Sequence, residues 1–158
     1  GPETATAATM AMRRALLLSN DGRIVDPWNQ TPELKYDIDI NENIYLVVWH
    51  RNHLGVMSST SISDEDSPAY YDFSASAGQA YGGTLAQIDL GNEVYGMIGG
   101  DGFIDGQINN ADKNDVWVPQ AGSTGYLMGD FNLDTQVNNS DKNDIWDPNG
   151  GMGRQVPD

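Results

Sequence analysis

Two stretches near the C-terminal end of the chain carry residues whose type and spacing could do chemistry. Residues 101–112 read DGFIDGQINNAD, and residues 130–141, 29 positions further on, read DFNLDTQVNNSD. Both copies keep oxygen-bearing side chains at loop positions 1, 5 and 12, an apolar residue at position 8 and Asn at position 9. Calcium takes roughly six to eight oxygen ligands, and a tight turn with acids at positions 1, 3, 5 and 12 supplies them. The spacing therefore predicts two calcium loops.

The second loop has the more complete set of ligands. Position 3 is Asn132 in the second loop but Phe103 in the first, and a phenyl ring cannot coordinate a cation. The turn glycine of the pattern is present in the first loop and is replaced by Thr135 in the second. We expect two calcium ions, with the first site weaker. The predicted ligands, with both glutamines acting through their backbone carbonyls, are Asp101, Asp105, Gln107 and Asp112 in the first loop, and Asp130, Asn132, Asp134, Gln136 and Asp141 in the second.

The similarity continues past the loops. From the first aspartate to the tryptophan that follows, the two copies are identical at ten of seventeen positions, which identifies an internal duplication. Each loop leads into a predicted helix of about two turns, over residues 110–118 and 139–146, with Asn109 or Asn138 as the N-cap. A proline follows each helix and is expected to end it, at Pro119 and Pro148.

This tandem loop-and-helix pattern resembles the dockerin family over about residues 99–147. In that family two such units pack about a pseudo-twofold axis, each with one calcium ion, and the best-known role is binding to cohesin domains. The resemblance implies that Ile108 and Val137, at position 8, meet between the loops. It also implies a small shared core made of Val116, Trp117, Ile145 and Trp146. Dockerins usually have longer helices and Ser-Thr at positions 10 and 11, so metal binding carries over better than cohesin recognition.

The preceding part of the chain is typical of a β-domain. Short apolar or alternating segments are separated by polar or glycine-rich spacers, which predicts a mainly β class with an antiparallel, Ig-like β-sandwich. The segments are 15–18 and 23–26 (a hairpin), 34–40, 44–49, 53–57, 69–73, 84–90 and 94–98. We therefore expect a disordered lead-in or tag remnant at 1–11, the sandwich at 12–98, the calcium-binding repeat at 99–150 and a tail at 151–158, with the two modules packed closely at Gly99 and Gly100. This arrangement is similar to C-terminal regions of large secreted bacterial proteins.

Composition narrows the classes of partner. The chain of 158 residues has 23 acidic and 8 basic residues and a net charge of −15, which disfavours nucleic acids and anionic membranes. It has no cysteine, so disulfides and thiolate metal sites are excluded. No apolar run reaches the roughly 18 residues of a membrane span. The opening Gly1-Pro2 resembles the scar of a cleaved tag.

Other candidate sites are less specific. His50 and His53 are interpreted as polar residues at a strand end, on opposite faces, in preference to a zinc edge. Trp28 and the Tyr70-Tyr71 pair are the best candidates for stacking on a sugar. No set of residues indicates a nucleophile with its base or a paired acid and base, so we predict no enzymatic activity.

The function expected from these residues is non-catalytic. We predict a structural calcium-binding module of a secreted or cell-surface bacterial protein that mediates protein–protein attachment, with a cohesin-like domain or a neighbouring module as partner. The alternative is a carbohydrate-binding accessory module of a secreted hydrolase. Glycan binding lost on substitution of Trp28 would favour the alternative, and a chelator-sensitive protein partner would favour the first.

Overall fold

The computed structural model describes residues 1–19, 21–33, 35, 43–62 and 70–158. Within this part of the chain the strands are short and pair into antiparallel two-stranded sheets. The pairs are β1 (Leu17–Leu18) with β2 (Ile24–Val25), β3 (Val47–Val48) with β4 (Val56–Met57), and β5 (Gln87–Asp89) with β6 (Tyr95–Met97). Short 3-10 turns lie at Pro2–Thr4, Ala7–Thr9, Ala77–Gln79 and Gly83–Leu85.

The first hairpin forms where the alternation predicts it. Leu17 faces Val25 and Leu18 faces Ile24 in its register. The turn is closed by the N–H of Ser19, which donates to the carbonyl of Arg23 at 2.8 Å. Asn20, the first residue of the predicted turn, lies outside the described residues. The hairpin prediction for residues 15–18 and 23–26 is thus confirmed.

The β-sandwich stays a prediction. The described strands form separate pairs, and most of the predicted strand 34–40 lies outside the described residues, as do Ala69 and the acidic segment 64–66. Residues 70–72, expected in a strand with Phe73, have no regular structure, and a turn begins at Phe73. The Tyr71 hydroxyl fixes the approach to this turn, because it donates to the carbonyl of Gln79 and accepts from the N–H of Ser59.

The segment 52–58 contributes residues to two small apolar clusters. Leu54 belongs to the first, with Ile98 and Ile108, and Trp146 and Met152 pack against them. Val56 belongs to the second, with Ala80 and Ala86. The first cluster therefore draws residues from the β-region and from both halves of the repeat. Burial of its apolar surface holds the two parts of the chain together.

The two repeat helices run over residues 110–120 and 139–149, and in each a wide π-helical segment is followed by a short α-helical turn. These are Asp112–Trp117 followed by Val118–Gln120, and Asp141–Trp146 followed by Asp147–Asn149. Each helix ends one residue after its proline, at Gln120 and Asn149, so the expectation that the prolines end the helices is wrong by that one residue. Pro119 and Pro148 lie at the change from π to α geometry.

None of the helices in the described ranges is long and apolar enough to cross a bilayer.

Candidate metal centre

Both acidic loops follow the same backbone path. Position 4 is left-handed in each, with φ of 59° at Ile104 and 65° at Leu133. Position 6 is left-handed as well, with φ of 83° at Gly106 and 74° at Thr135. Residues with a Cβ pay about 1–2 kcal/mol for this conformation, and β-branched ones rarely adopt it. Strong local interactions must therefore stabilise the loops.

Those interactions begin with the aspartate at position 1. In the first loop Asp101 Oδ1 accepts a hydrogen bond from the N–H of Asp105, and Oδ2 accepts one from the N–H of Gly106, both at 3.1 Å. In the second loop Asp130 accepts from the N–H groups at positions 5 and 6, at 3.0 and 3.1 Å. The backbone curls around each carboxylate, which explains why Thr135 tolerates a glycine conformation.

The aspartate at position 12 organises the other half of each loop. Asp112 Oδ1 accepts from the N–H of Phe103 at 3.0 Å, and Oδ2 accepts from the N–H of Asn109 at 2.7 Å. Asp141 accepts from positions 3 and 9 of its own loop at 3.0 and 2.8 Å. One buried carboxylate thus connects the turn to the start of the helix in each unit.

Reciprocal hydrogen bonds cap both helices. The side-chain oxygen of Asn109 accepts from the N–H of Ala111 at 2.8 Å, and that of Asn138 accepts from the N–H of Ser140 at 2.7 Å. With the bonds from the backbone N–H of each Asn to the position 12 aspartate, this is the capping-box arrangement. The predicted N-caps are therefore confirmed.

The electrostatics of the loops are unfavourable without a counter-charge. The aspartates at positions 1 and 12 are almost fully buried, with exposures of 3 % for Asp101, 0 % for Asp112, 1 % for Asp130 and 0 % for Asp141. Burial, with the charge of Asp112 as the next cause, raises the pKa of Asp101 to about 6. Burial also raises the pKa of Asp130, and the charge of Asp141 adds to the effect.

The remaining predicted ligands lie at the surface of the loops. Asp105 and Asp134 are exposed, and each accepts a hydrogen bond at 2.9 Å from the N–H of its own position 7, Gln107 or Gln136. Asn132 donates from its side chain to Asp134 at 3.1 Å. Among the described residues, no three acidic or histidine side chains stand close enough to form a ready metal group. The structure thus brings positions 1 and 12 together in each loop and leaves position 5 at the rim.

The donor set fits a hard divalent cation. Every predicted ligand is a carboxylate, amide or carbonyl oxygen, the type that calcium prefers. An ionised carboxylate has about four acceptor positions, and backbone N–H groups occupy two of them at Asp101 and at Asp112. The remaining positions, with the side chains at the rim, could take a cation. A bound cation would supply the positive charge that the buried pair needs.

The two units exchange their exit segments, so each loop pairs with the chain that leaves the other helix. The N–H of Ile108 donates to Met152 at 2.8 Å, and its carbonyl accepts from Gly151 at 2.8 Å. In the second loop the N–H of Val137 donates to the carbonyl of Ser123 at 2.9 Å, and the carbonyl of Val137 accepts from the N–H of Gly122 at 2.7 Å. The backbones of Ile108 and Val137 therefore pair with the exit segments, and the meeting of these two residues between the loops stays a prediction. Residues 151–154, expected to be a tail, take part in this pairing.

The tryptophans repeat this exchange. Trp117 Nε1 donates to the carbonyl of Asn138, and Trp146 Nε1 donates to that of Asn109, both at 3.0 Å. The ammonium group of Lys113 lies 4.9 Å from the ring centre of Trp146, and that of Lys142 lies 5.3 Å from the ring centre of Trp117. Each indole thus crosses to the other unit at the start of its helix, and the repeat has pseudo-twofold symmetry.

Two residues outside the repeat reach the second loop, and their role was missed from the sequence. Arg51 Nη2 lies 3.2 Å from Asp130 Oδ2 and forms an ion pair with it. Asn52, fully buried, donates from its side chain to the carbonyls of Met128 at 3.0 Å and Asp130 at 2.6 Å. The backbone carbonyl of Asn52 accepts from the N–H of Gly100 at 3.0 Å, just before the first loop. In the sequence, the one signal for these contacts is that the polar residues Arg51 and Asn52 come shortly after the apolar strand 44–49.

The prediction that His50 and His53 point to opposite faces is wrong. Arg51 and Asn52 form a bend after β3, so the two imidazoles meet with their Nδ1 atoms 3.1 Å apart and their rings edge to face. His53 Nδ1 also lies 2.9 Å from the side-chain oxygen of Asn52. Burial, with the nearby charges of His50 and Arg51, lowers the pKa of His53 to about 3. Burial lowers the pKa of His50 as well.

The proposed sugar-stacking aromatics differ in exposure. Trp28 is 90 % exposed and Tyr70 is 85 % exposed. Tyr71 is half-buried, and its hydroxyl fixes the approach to the turn described above. A flat ligand could therefore reach Trp28 or Tyr70, whereas Tyr71 has a structural role.

Comparison of the chain with protein-family models, with curated proteins and with solved structures found no match. The dockerin resemblance stays a prediction that rests on the residues of the two loops.

The strain at position 6 gives a stability prediction. We expect Thr135→Gly to stabilise the protein by about 1 kcal/mol, because glycine adopts φ of 74° without steric cost. The matched change Gly106→Ala should destabilise, since the added Cβ would also lie 2.9 Å from side-chain atoms of Arg154. Urea unfolding measures both, and a Thr135→Gly variant less stable than wild type would contradict the strain.

The buried histidine pair gives a pH prediction. Because the pKa of His53 is lower in the folded protein than its ordinary value of 6.5, its contribution to stability is present above pH 6.5 and is lost as the pH falls towards 3. Between pH 7 and pH 5 we expect a loss of about 2 kcal/mol from this group. The free energy of unfolding of wild type and of His53→Gln, measured at both pH values, gives the contribution of His53. The two proteins have the same carboxylates, so the contributions of these groups cancel in the comparison. Equal losses in the two proteins would show that His53 does not titrate on unfolding.

Proposed function

We propose that residues 99–154 bind two calcium ions that stabilise a non-catalytic module, used for protein attachment by a secreted or cell-surface bacterial protein. One observation carries this proposal. Each loop buries two aspartates with adjoining charges, and in the first loop no lysine or arginine of the described chain forms an ion pair with them. Burying an unpaired carboxylate costs several kcal/mol, and a divalent cation removes that cost.

The role proposed for calcium is structural. The position 12 aspartates hold the loop, the helix N-terminus and the first turn together, so a cation that they bind would stabilise all three. The apolar cluster of Leu54, Ile98 and Ile108 is small, and the exchanged exit segments depend on correctly formed loops. Extracellular calcium is millimolar, a level at which sites of modest affinity remain filled.

The attachment role is the part that the dockerin-like resemblance suggests. Within the repeat, two apolar side chains related by the pseudo-symmetry are exposed, Ile104 and Leu133 at position 4 of the two loops. Such positions could contact a protein partner, either a cohesin-like domain or a neighbouring module. The enzymatic alternative lacks a candidate nucleophile or acid–base pair in the sequence, and we propose none.

Calcium titration tests the metal part of the proposal. We expect wild type to bind two calcium ions, and Asp105→Ala and Asp134→Ala to bind one each, because each removes an exposed ligand without disturbing the buried carboxylates. Asp89→Ala, which removes an exposed acid outside the loops, should still bind two. Calcium at about 100 times the dissociation constant should raise the free energy of unfolding by about 2.7 kcal/mol per site.

Calorimetry gives the stoichiometry, and thermal unfolding in calcium or EDTA gives the stability. A melting temperature unaffected by millimolar calcium, together with no heat of binding, would refute the metal sites.

The exposure of Trp28 and Tyr70 favours carbohydrate binding as a second candidate function. Aromatic faces open to solvent can stack on the apolar faces of sugar rings. We expect any glycan binding on an array to be lost in Trp28→Ala and kept in Leu85→Ala, which removes an exposed apolar side chain that is not aromatic. Binding that survives both Trp28→Ala and Tyr70→Ala would exclude these aromatics as the sugar site.

A further inference from the structure

Arg51 lies beside the second calcium loop as a fixed positive charge. Its guanidinium contacts Asp130 Oδ2 at 3.2 Å, and its Nε donates to the carbonyl of Leu127 at 3.3 Å. The guanidinium carbon lies 3.9 Å from the ring centre of Tyr126. The Arg51 side chain is 14 % exposed, so little water separates it from the carboxylate. Three separate contacts therefore hold the charge in one place.

The first loop has no equivalent of this ion pair. Asp101, the counterpart of Asp130, accepts only backbone N–H bonds, and among the described residues no arginine or lysine forms an ion pair with it. Arg154 lies near the first loop, where its side chain approaches Gly106, but it pairs with Asp158 and not with a loop carboxylate. The two loops thus follow the same backbone path, and the second loop differs from the first in having an arginine paired with its position 1 aspartate.

We propose that Arg51 is an affinity-setting residue that competes with calcium for Asp130 and weakens the second site relative to what its ligands alone would give. This inference rests on the proposed calcium function. Asp130 Oδ2 accepts from both the N–H of Thr135 and the guanidinium of Arg51, so this oxygen has fewer free acceptor positions than its counterpart in the first loop, which accepts from the N–H of Gly106. The positive charge also repels a divalent cation at short range.

This competition opposes the advantage that the second loop has in ligands. Asn132 supplies the oxygen that Phe103 cannot, and that alone would make the second site the tighter one. Arg51 reduces this difference from outside the repeat. Asn52, the neighbour of Arg51, bonds to the segments leading into both loops. The connection 49–55 between β3 and β4 therefore links the calcium affinity of the second loop to the β-region.

Residue-resolved calcium titration of Arg51 variants tests the proposal. The backbone amides of Gly106 and Thr135 report the first and second loops separately in a ¹⁵N spectrum, because each donates to the position 1 aspartate of its own loop. We expect Arg51→Gln to tighten the second site by about tenfold or more and to leave the first within about threefold. Arg51→Lys, which keeps the charge, should stay close to wild type. Arg154→Gln makes the same charge change elsewhere and should leave the second site unchanged.

If Arg51→Gln is unstable without calcium, the experiment uses the calcium-loaded protein. We then expect calcium to pass to a fluorescent chelator more slowly from the second loop of Arg51→Gln than from the second loop of wild type. An affinity of the second loop that is unchanged or weaker in Arg51→Gln overturns the role of Arg51, while calcium binding by the wild type stands. Equal tightening of both loops also overturns it, because that is a general charge effect. Absence of calcium binding from every variant and from wild type refutes the proposed function itself.

Discussion

The structure of the repeat depends on four buried carboxylates. The aspartates at positions 1 and 12 of each loop accept hydrogen bonds from the turn and from the helix start, and they impose left-handed conformations on residues as unsuited as Ile104 and Thr135. Backbone N–H groups satisfy part of each carboxylate but do not neutralise its charge. This residual charge is the reason that we propose a cation at the loops, and it also makes the arginine that pairs with Asp130 consequential.

Exchange between the two units makes the repeat one folding unit. Each exit segment completes the other loop, and each tryptophan bonds to the other helix start, so neither unit is complete alone. The same principle extends to the β-region, since Leu54 lies in one apolar cluster with Ile98 and Ile108, and Asn52 bonds on both sides of the pseudo-twofold axis. A change in one loop therefore reaches the other loop and the bend after β3 through contiguous contacts.

Local features of the fold were predictable from the residues, and longer-range ones were not. The hairpin at residues 15–26, the duplicated loops and the Asn109 and Asn138 caps follow from turn chemistry and spacing within a few residues. The helix ends were mispredicted because the π-to-α change that accommodates Pro119 has no sequence signature. The pairing of position 8 with the exit segments was likewise unpredictable, because those segments lack a strand pattern of their own.

The sequence by itself determined the chemistry of the candidate site: two loops rich in oxygen-bearing side chains, with Phe103 at position 3 of the first loop where the second has Asn132, and no thiol. These properties depend on residue type and spacing over twelve positions, which a loop preserves wherever it lies in the fold. Only the tertiary structure decided which carboxylates are buried, which stay at the rim and which one faces a cation from elsewhere in the chain. Arg51 and Asp130 are far apart in sequence, and nothing local to either residue encodes their contact. Their pairing arises because the bend between β3 and β4 packs against the segment that leads into the second loop.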